Sequence, residues 1–241
     1  MSGHSKWSTI KRKKGAVDAK RSAVFTKVSK LLTVAAREGG GDIDMNFKLK
    51  LAVDKAKAAN MPMDNIQRAI DRGTGGDKNA AQIEKEVYDI YGPDGVACLV
   101  TVLTDNKNRA LSDMKGVFAK KGGSMGGPGT VAWMFDTKGL VLGYKNSISD
   151  LDELTLEGID HGLSEVEDGE ELVEFFCAPQ ELKTMRDFLE SKGVEIESAE
   201  LVFKPKNPVK IDDEKKERLV EFLEAIEELD DVDRVDVNVS F

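Results

Sequence analysis

Apolar positions recur every three to four residues over the first third of the chain and then shift to shorter, alternating runs. The pattern predicts a helical segment followed by mixed strands and helices. From Ala19 to about Arg37, Val24, Val28, Leu31 and Ala35 form a stripe flanked by Phe25 and Leu32. Asp18 suits the N-cap, and Gly39, Gly40 and Gly41 end the helix. A second helix, from about Asp44 to Ala59, turns Met45, Leu49, Ala52, Val53 and Ala56 inward. Pro62 opens a third, carrying Ile66, Ala69 and Ile70, and Gly73 stops it. The stretch GTGGDKNA, from Gly73 to Ala80, reads as a linker.

Beyond the linker, Glu84 to Tyr91 and Val96 to Thr104 read as strands joined by the turn GPDG, with Pro93 at its second position. Asn106 or Asp105 can cap a helix to about Lys120 whose inward face is Ala110, Met114, Val117 and Phe118, and Thr130 to Phe135 reads as a further strand. A strand near Gly139 to Tyr144, a helix near Ser149 to Asp160, a hairpin through Asp168-Gly169, a helix from about Pro179 to Ser191 and a strand from Val194 to Phe203 follow in the ferredoxin-like order βαββαβ. A helix over about Asp212 to Leu229 and a strand from Val232 to Val239 are then left over. The segment before the βαββαβ unit is short of elements, so the final pair is expected to pack back onto it. The predicted fold class is α+β: an N-terminal three-helix domain with its arm (1–76), then two ferredoxin-like α+β domains. The middle one is discontinuous (81–135 with 209–241), and the other (136–204) is inserted in it.

Charge changes this picture more than composition does. The chain has 241 residues, 40% hydrophobic and 33% charged, enough apolar material for packed cores. Its net charge of −9 is unevenly spread: residues 1–76 hold 16 Lys and Arg against 7 Asp and Glu, and the rest hold 19 against 37. A basic module on an acidic body points to a polyanionic partner. Cys98 and Cys177 lie in separate β-like runs, which argues against a disulfide framework and fits a reducing compartment. No apolar stretch approaches the roughly 18 to 20 residues of a membrane span, so no membrane partner is expected, and no signal-peptide core follows the basic start.

Catalytic chemistry finds little support. The two histidines, His4 and His161, have no clustered Cys, His or carboxylate at metal-ligand spacing, and His4 beside Ser5 offers no oriented base. His161 falls at a helix end, where a capping or solvent role suits it. The loop GGSMGGPG (Gly122 to Gly129) lacks the Gly-Lys-Ser/Thr ending of a P-loop and precedes a strand, so it reads as a flexible connection. No catalytic residue, metal, cofactor or small-molecule substrate is expected.

The arm before Ala19 carries the clearest signal. Lys6, Lys11, Arg12, Lys13 and Lys14 stand in the first fourteen residues without an acidic residue among them. Such density neutralises phosphates and releases counterions. Trp7 offers a stacking surface for an unpaired base, or a plug for the helical core. Lys20 and Lys27 lie seven apart, on one face of the first helix, with Lys30 on the neighbouring flank. Phosphate contacts position a protein without reading sequence, and no helix-turn-helix set of base-reading side chains is evident. The acidic segment from Asp212 to Asp236, 12 acidic against 4 basic residues, is expected either to repel nucleic acid or to cover the basic patch.

GHSKW with the basic run after it, KRSAVFTK, NMPMDNIQRAI, YGPDGVA, TDNKNR and GTVAWMF stand in that order from Gly3 to Phe135. Together they resemble the YebC/PmpR family. The resemblance implies cytoplasmic DNA-binding regulators of transcription. It also implies a second description: mitochondrial relatives activate translation of cytochrome c oxidase, and bacterial members are linked to stalled ribosomes. The partner it implies is therefore DNA, or ribosomal RNA and the ribosome, and the family is not one of enzymes. Matching positions add Arg21 to the arm and first helix. Asn106, Lys107 and Arg109 form a second, weaker polar patch, for which helix capping is the simpler role.

Overall fold

The computed structural model describes residues 19–76 and 82–240, and within them the helices follow their apolar stripes. Helices α1 (Ala19–Gly39), α2 (Phe47–Ala58) and α3 (Met63–Gly73) close around Val28, Leu32, Leu49, Val53, Ile66 and Ile70. The helix α2 begins later than its stripe suggests. Asn46 is the N-cap: its Oδ1 accepts from Leu49 N (3.1 Å), and its Nδ2 donates to the carbonyls of Ala35 (2.8 Å) and Gly40 (2.7 Å). One buried amide thus joins the end of α1 to the start of α2. Met45, expected inside, falls in the turn before this cap and is 84% exposed. Val24 is also more open than its stripe implies, because α1 has 21 residues and its partners 12 and 11, so its first turns outrun them.

Strands β1 (Glu84–Tyr91) and β2 (Ala97–Thr104) form an antiparallel hairpin, and every residue of β2 is buried. Asp94 and Gly95 turn it with φ of 59° and 78°. Helix α4 (Lys107–Lys121) follows, with Ala110, Met114 and Phe118 inward. Two expectations then fail. The glycine-rich stretch contains a strand, β3 (Ser124–Met125), paired antiparallel with Tyr91 and Ile90 of β1. The segment expected as a strand from Thr130 is a turn and a 3-10 helix (Ala132–Met134). Its amides are already engaged: the Asp89 carboxylate accepts from Val131 N (2.9 Å) and Ala132 N (3.4 Å), so no ladder can use them.

The chain sorts into two compact units. One runs up to Ala132 and regains Asp212–Val235, and the other holds Trp133–Ile211 and the residues from Asp236 on. The second unit opens with β4 (Phe135–Tyr144), α5 (Leu151–Ile159), β5 (Leu163–Asp168), β6 (Leu172–Cys177), α6 (Leu182–Ser191) and β7 (Ile196–Pro205). Its sheet order, β5-β6-β4-β7 with antiparallel neighbours, is the ferredoxin-like arrangement. A short strand β8 (Val209–Lys210) precedes α7 (Asp213–Glu227) and β9 (Val232–Val237). The last strand, β10 (Val239–Ser240), pairs parallel with β8. The strand β9 joins the earlier sheet, in the order β3-β1-β2-β9. In the first unit α7 packs on α4 through Phe222 and Phe118, ring centroids 6.1 Å apart. The fold is therefore α+β, a helical N-terminal domain followed by two four-stranded antiparallel sheets with their helices.

Candidate nucleic-acid interface

The arm residues Lys6, Trp7, Lys11, Arg12, Lys13 and Lys14, with His4, lie outside the described residues, and Lys20 and Arg21 fall in the first turn of α1. Lys27 and Lys30, one turn apart, both reach the end of α7. Lys27 Nζ donates to the carbonyl of Glu227 at the C-terminus of α7, where the helix dipole favours a cation. Lys30 Nζ donates to the carbonyl of Asp230 (2.9 Å) and to the carboxylate of Asp231.

Asp231 gathers more than Lys30. Its side chain also accepts from Thr104 Oγ1 (3.0 Å) and from Arg109 through Nε (3.1 Å) and Nη2 (2.9 Å), and its carbonyl accepts from Leu103 N (2.8 Å). The residue is only 4% exposed. Burial works to raise its pKa, but the hydrogen bonds from Lys30, Arg109 and Thr104 outweigh it and hold the carboxyl below its ordinary value. The result is a charged knot tying α1, the end of β2, the start of α4 and the turn before β9.

The second patch is likewise engaged inside the molecule. Asn106 caps α4, accepting from Arg109 N at 3.1 Å. Lys107 pairs with Glu84 (2.7 Å) and Glu86 (2.5 Å), whose hydrogen bonds push its pKa up. Arg109 is held by Asp105 (2.6 Å) and Asp231.

The basic residues that the sequence reading missed are on α2. Lys48 and Lys55, and Lys50 and Lys57, are pairs seven residues apart, rising about 10 Å along the helix, one pair on each flank of the buried stripe of Leu49, Ala52, Val53 and Ala56. Lys48 pairs with Glu38 (2.7 Å) and Lys55 approaches Asp233 (4.0 Å); Lys50 and Lys57 have no acidic partner among the described residues. The Lys48 pair is exposed on both sides, and such pairs are weak and exchange readily for phosphate. The signal was available as two interleaved seven-residue spacings between core positions.

Nothing else among the described residues gathers into a reactive centre. Burial pushes the thiols of Cys98 and Cys177 up to about 12 and about 11, which keeps both protonated at neutral pH. No group of three or more His, Cys, Asp or Glu among the described residues is arranged to hold a metal, and no helix among them is long and apolar enough to cross a membrane.

Known proteins resemble the chain from end to end. Residues 5–76 match the family model described as the TACO1/YebC protein N-terminal domain, and residues 83–239 the TACO1/YebC second and third domain. A probable transcriptional regulatory protein of Rubrobacter xylanophilus is 50% identical over 238 residues, 99% of this chain and 95% of that one. One from Thermotoga maritima is 43% identical, covering 98% and 92% of the two chains. The crystal structure of a conserved hypothetical protein from Aquifex aeolicus superposes with a TM-score of 0.84 at 38% identity, covering 93% of this chain and 92% of that one.

Proposed function

Because the chain belongs to the TACO1/YebC family, whose bacterial relatives are named probable transcriptional regulatory proteins, we propose that it regulates gene expression by binding nucleic acid, as a DNA-binding transcriptional regulator of the cytoplasm. The carrying observation is the four lysines of α2, two on each flank of its buried stripe, in a module of 16 basic and 7 acidic residues on an otherwise acidic chain. On this reading the arm (Lys6, Lys11, Arg12, Lys13, Lys14) follows the phosphates and Trp7 stacks on an exposed base. Lys20, Arg21, Lys50 and Lys57 extend the contact, and Lys27 and Lys30 add to it once they leave α7. Counterion release supplies the affinity. The reading requires no cofactor, metal or catalytic group.

A second reading, an RNA- or ribosome-binding translation factor, has one observation in its favour. Arg68, on α3, is folded back onto the Asp64 carbonyl (3.1 Å) and Asn65 Oδ1 rather than aimed outward to read a base edge. Lysine-bearing helix flanks without base readers suit a folded RNA recognised by shape. Crosslinking the tagged protein in cells and sequencing both DNA and RNA distinguishes the two. A variant with Lys11, Arg12, Lys13 and Lys14 changed to Glu runs alongside. Enrichment of a few promoters, lost in the variant, is the expected result, and ribosomal RNA lost in the variant supports the second reading. No enrichment of either above background overturns both.

A further inference from the structure

Helix α5 of the ferredoxin-like unit is apolar on both sides. Leu154 and Gly158 face its sheet, and Gly158 sits so close to Leu163 that an added Cβ would come within 2.8 Å of Leu163 Cδ2. On the opposite side Leu156 is 70% exposed and Ile159 58% exposed. Next to them opens a cavity of about 520 Å³, whose lining includes Glu157, Asp160 and His161 from the end of α5 and Asp187, Phe188 and Lys192 from α6 and its C-terminus. Its floor is aromatic: the His161 ring stacks on Phe188, centroids 4.3 Å apart and planes 19° from parallel.

We propose that this face docks a basic, arginine-bearing amphipathic segment of another protein. Arginine is the cation that matches both features of the cavity, because its planar guanidinium stacks on a ring while its N–H groups meet carboxylates. The cavity already holds one cation of its own: Lys192 Nζ lies 5.9 Å from the Phe188 centroid and pairs with Glu157. Asp160 and Asp187 have no basic side-chain partner among the described residues, so both carboxylates are open to an incoming guanidinium. Leu156 and Ile159, one turn apart beside them, take the apolar side chains of the same segment. Charge selects the class of partner. Between Asp136 and Lys204 the chain has 18 acidic and 6 basic residues, a surface that repels nucleic acid and attracts a basic protein. This surface therefore assigns the ferredoxin-like unit a protein ligand, independent of what the helical unit binds.

The test uses the full chain without nucleic acid. The probe is a labelled twelve-residue peptide alternating Arg and Leu at helical spacing, with Lys-for-Arg and Asp-for-Arg versions as controls. Binding is followed by backbone NMR shifts and fluorescence anisotropy. Expected are shifts centred on Leu156, Ile159, Asp160, His161 and Phe188, and affinity lower by tenfold or more in Asp160→Asn/Asp187→Asn and in Leu156→Glu/Ile159→Glu. The Lys peptide binds several-fold more weakly and the Asp peptide not at all. All four substitutions are on exposed side chains, so an unchanged melting temperature keeps the result interpretable. The proposal is overturned if the Arg peptide does not bind at millimolar concentration or if its shifts spread evenly over the acidic surface. It is equally overturned if sedimentation shows a self-association that Leu156→Glu abolishes, since the occupant is then a second copy.

Discussion

Asp231 concentrates hydrogen bonds from Lys30, Arg109 and Thr104 in one carboxylate. Its ordinary pKa is 3.8 and its folded value is lower, so the unfolded chain binds its proton first as pH falls. The stability it contributes is complete well above that ordinary value and drains as pH falls through it toward the folded value. Asp231→Asn removes the charge and leaves Lys30 and Arg109 short of a partner, at an expected cost of about 2 kcal/mol at neutral pH. Urea unfolding as a function of pH checks both parts: the variant is less stable at pH 7, and its stability falls less steeply below pH 5 than that of the parent. Parallel curves would mean that Asp231 is not the titrating group. Gly73 makes the complementary residue-scale point. A Cβ there would lie 2.4 Å from the Thr33 carbonyl and 2.8 Å from Ala36 Cβ, so the glycine that reads as a helix stop is also where α3 closes on α1.

Elements were most legible where their apolar positions repeat and least where the backbone itself makes the contact. The glycine-rich segment after α4 reads as a flexible loop because it has almost no side chains to pattern. Those missing side chains are what let β3 form: a Cβ on Gly123 would meet Phe222 Cε2 and the Tyr91 carbonyl, each at 2.9 Å. The α2 lysines were overlooked for a different reason. Its charges are spread thinly between core positions, whereas the arm packs its charges side by side. If α2 contacts phosphate, Lys50→Glu/Lys57→Glu weakens binding to a duplex and to a structured RNA alike. It also flattens the dependence of log affinity on log salt by about 0.9 for each duplex phosphate that is no longer neutralised. Unchanged slopes would remove α2 from the interface. Circular dichroism should not change, since neither side chain is among the buried residues of the helix.

At the scale of the molecule, opposite charges are kept apart along the chain yet meet where Lys30 of α1 pairs with Asp231 just after α7, beside the Glu227 and Asp230 carbonyls that hold Lys27 and Lys30. An acidic segment in contact with the basic module competes with any polyanion. Neutralising exposed acids on and before α7, as Asp212→Asn/Asp213→Asn/Glu217→Gln, is expected to raise affinity for nucleic acid severalfold at low salt and to have little effect at high salt. Titrations at two salt concentrations measure this. Equal affinity of parent and variant at both would show that the acidic segment plays no part in binding.

The sequence by itself determined the alternation of helices and strands, the ferredoxin-like order of the second sheet and the separation of a basic module from an acidic body. Apolar period and charge are local properties and survive without a fold. It could not show that Lys27, Lys30, Lys107 and Arg109 would be held by carboxylates and carbonyls, because several of those partners lie more than 100 residues away along the chain. It could not foresee the seat of β3, which depends on how near Phe222 comes to Gly123, or the stacking of His161 on Phe188 beside two exposed apolar side chains. Contacts between distant segments follow from packing the whole chain. Only the tertiary structure decided which charges are already paired and which face outward to meet a partner.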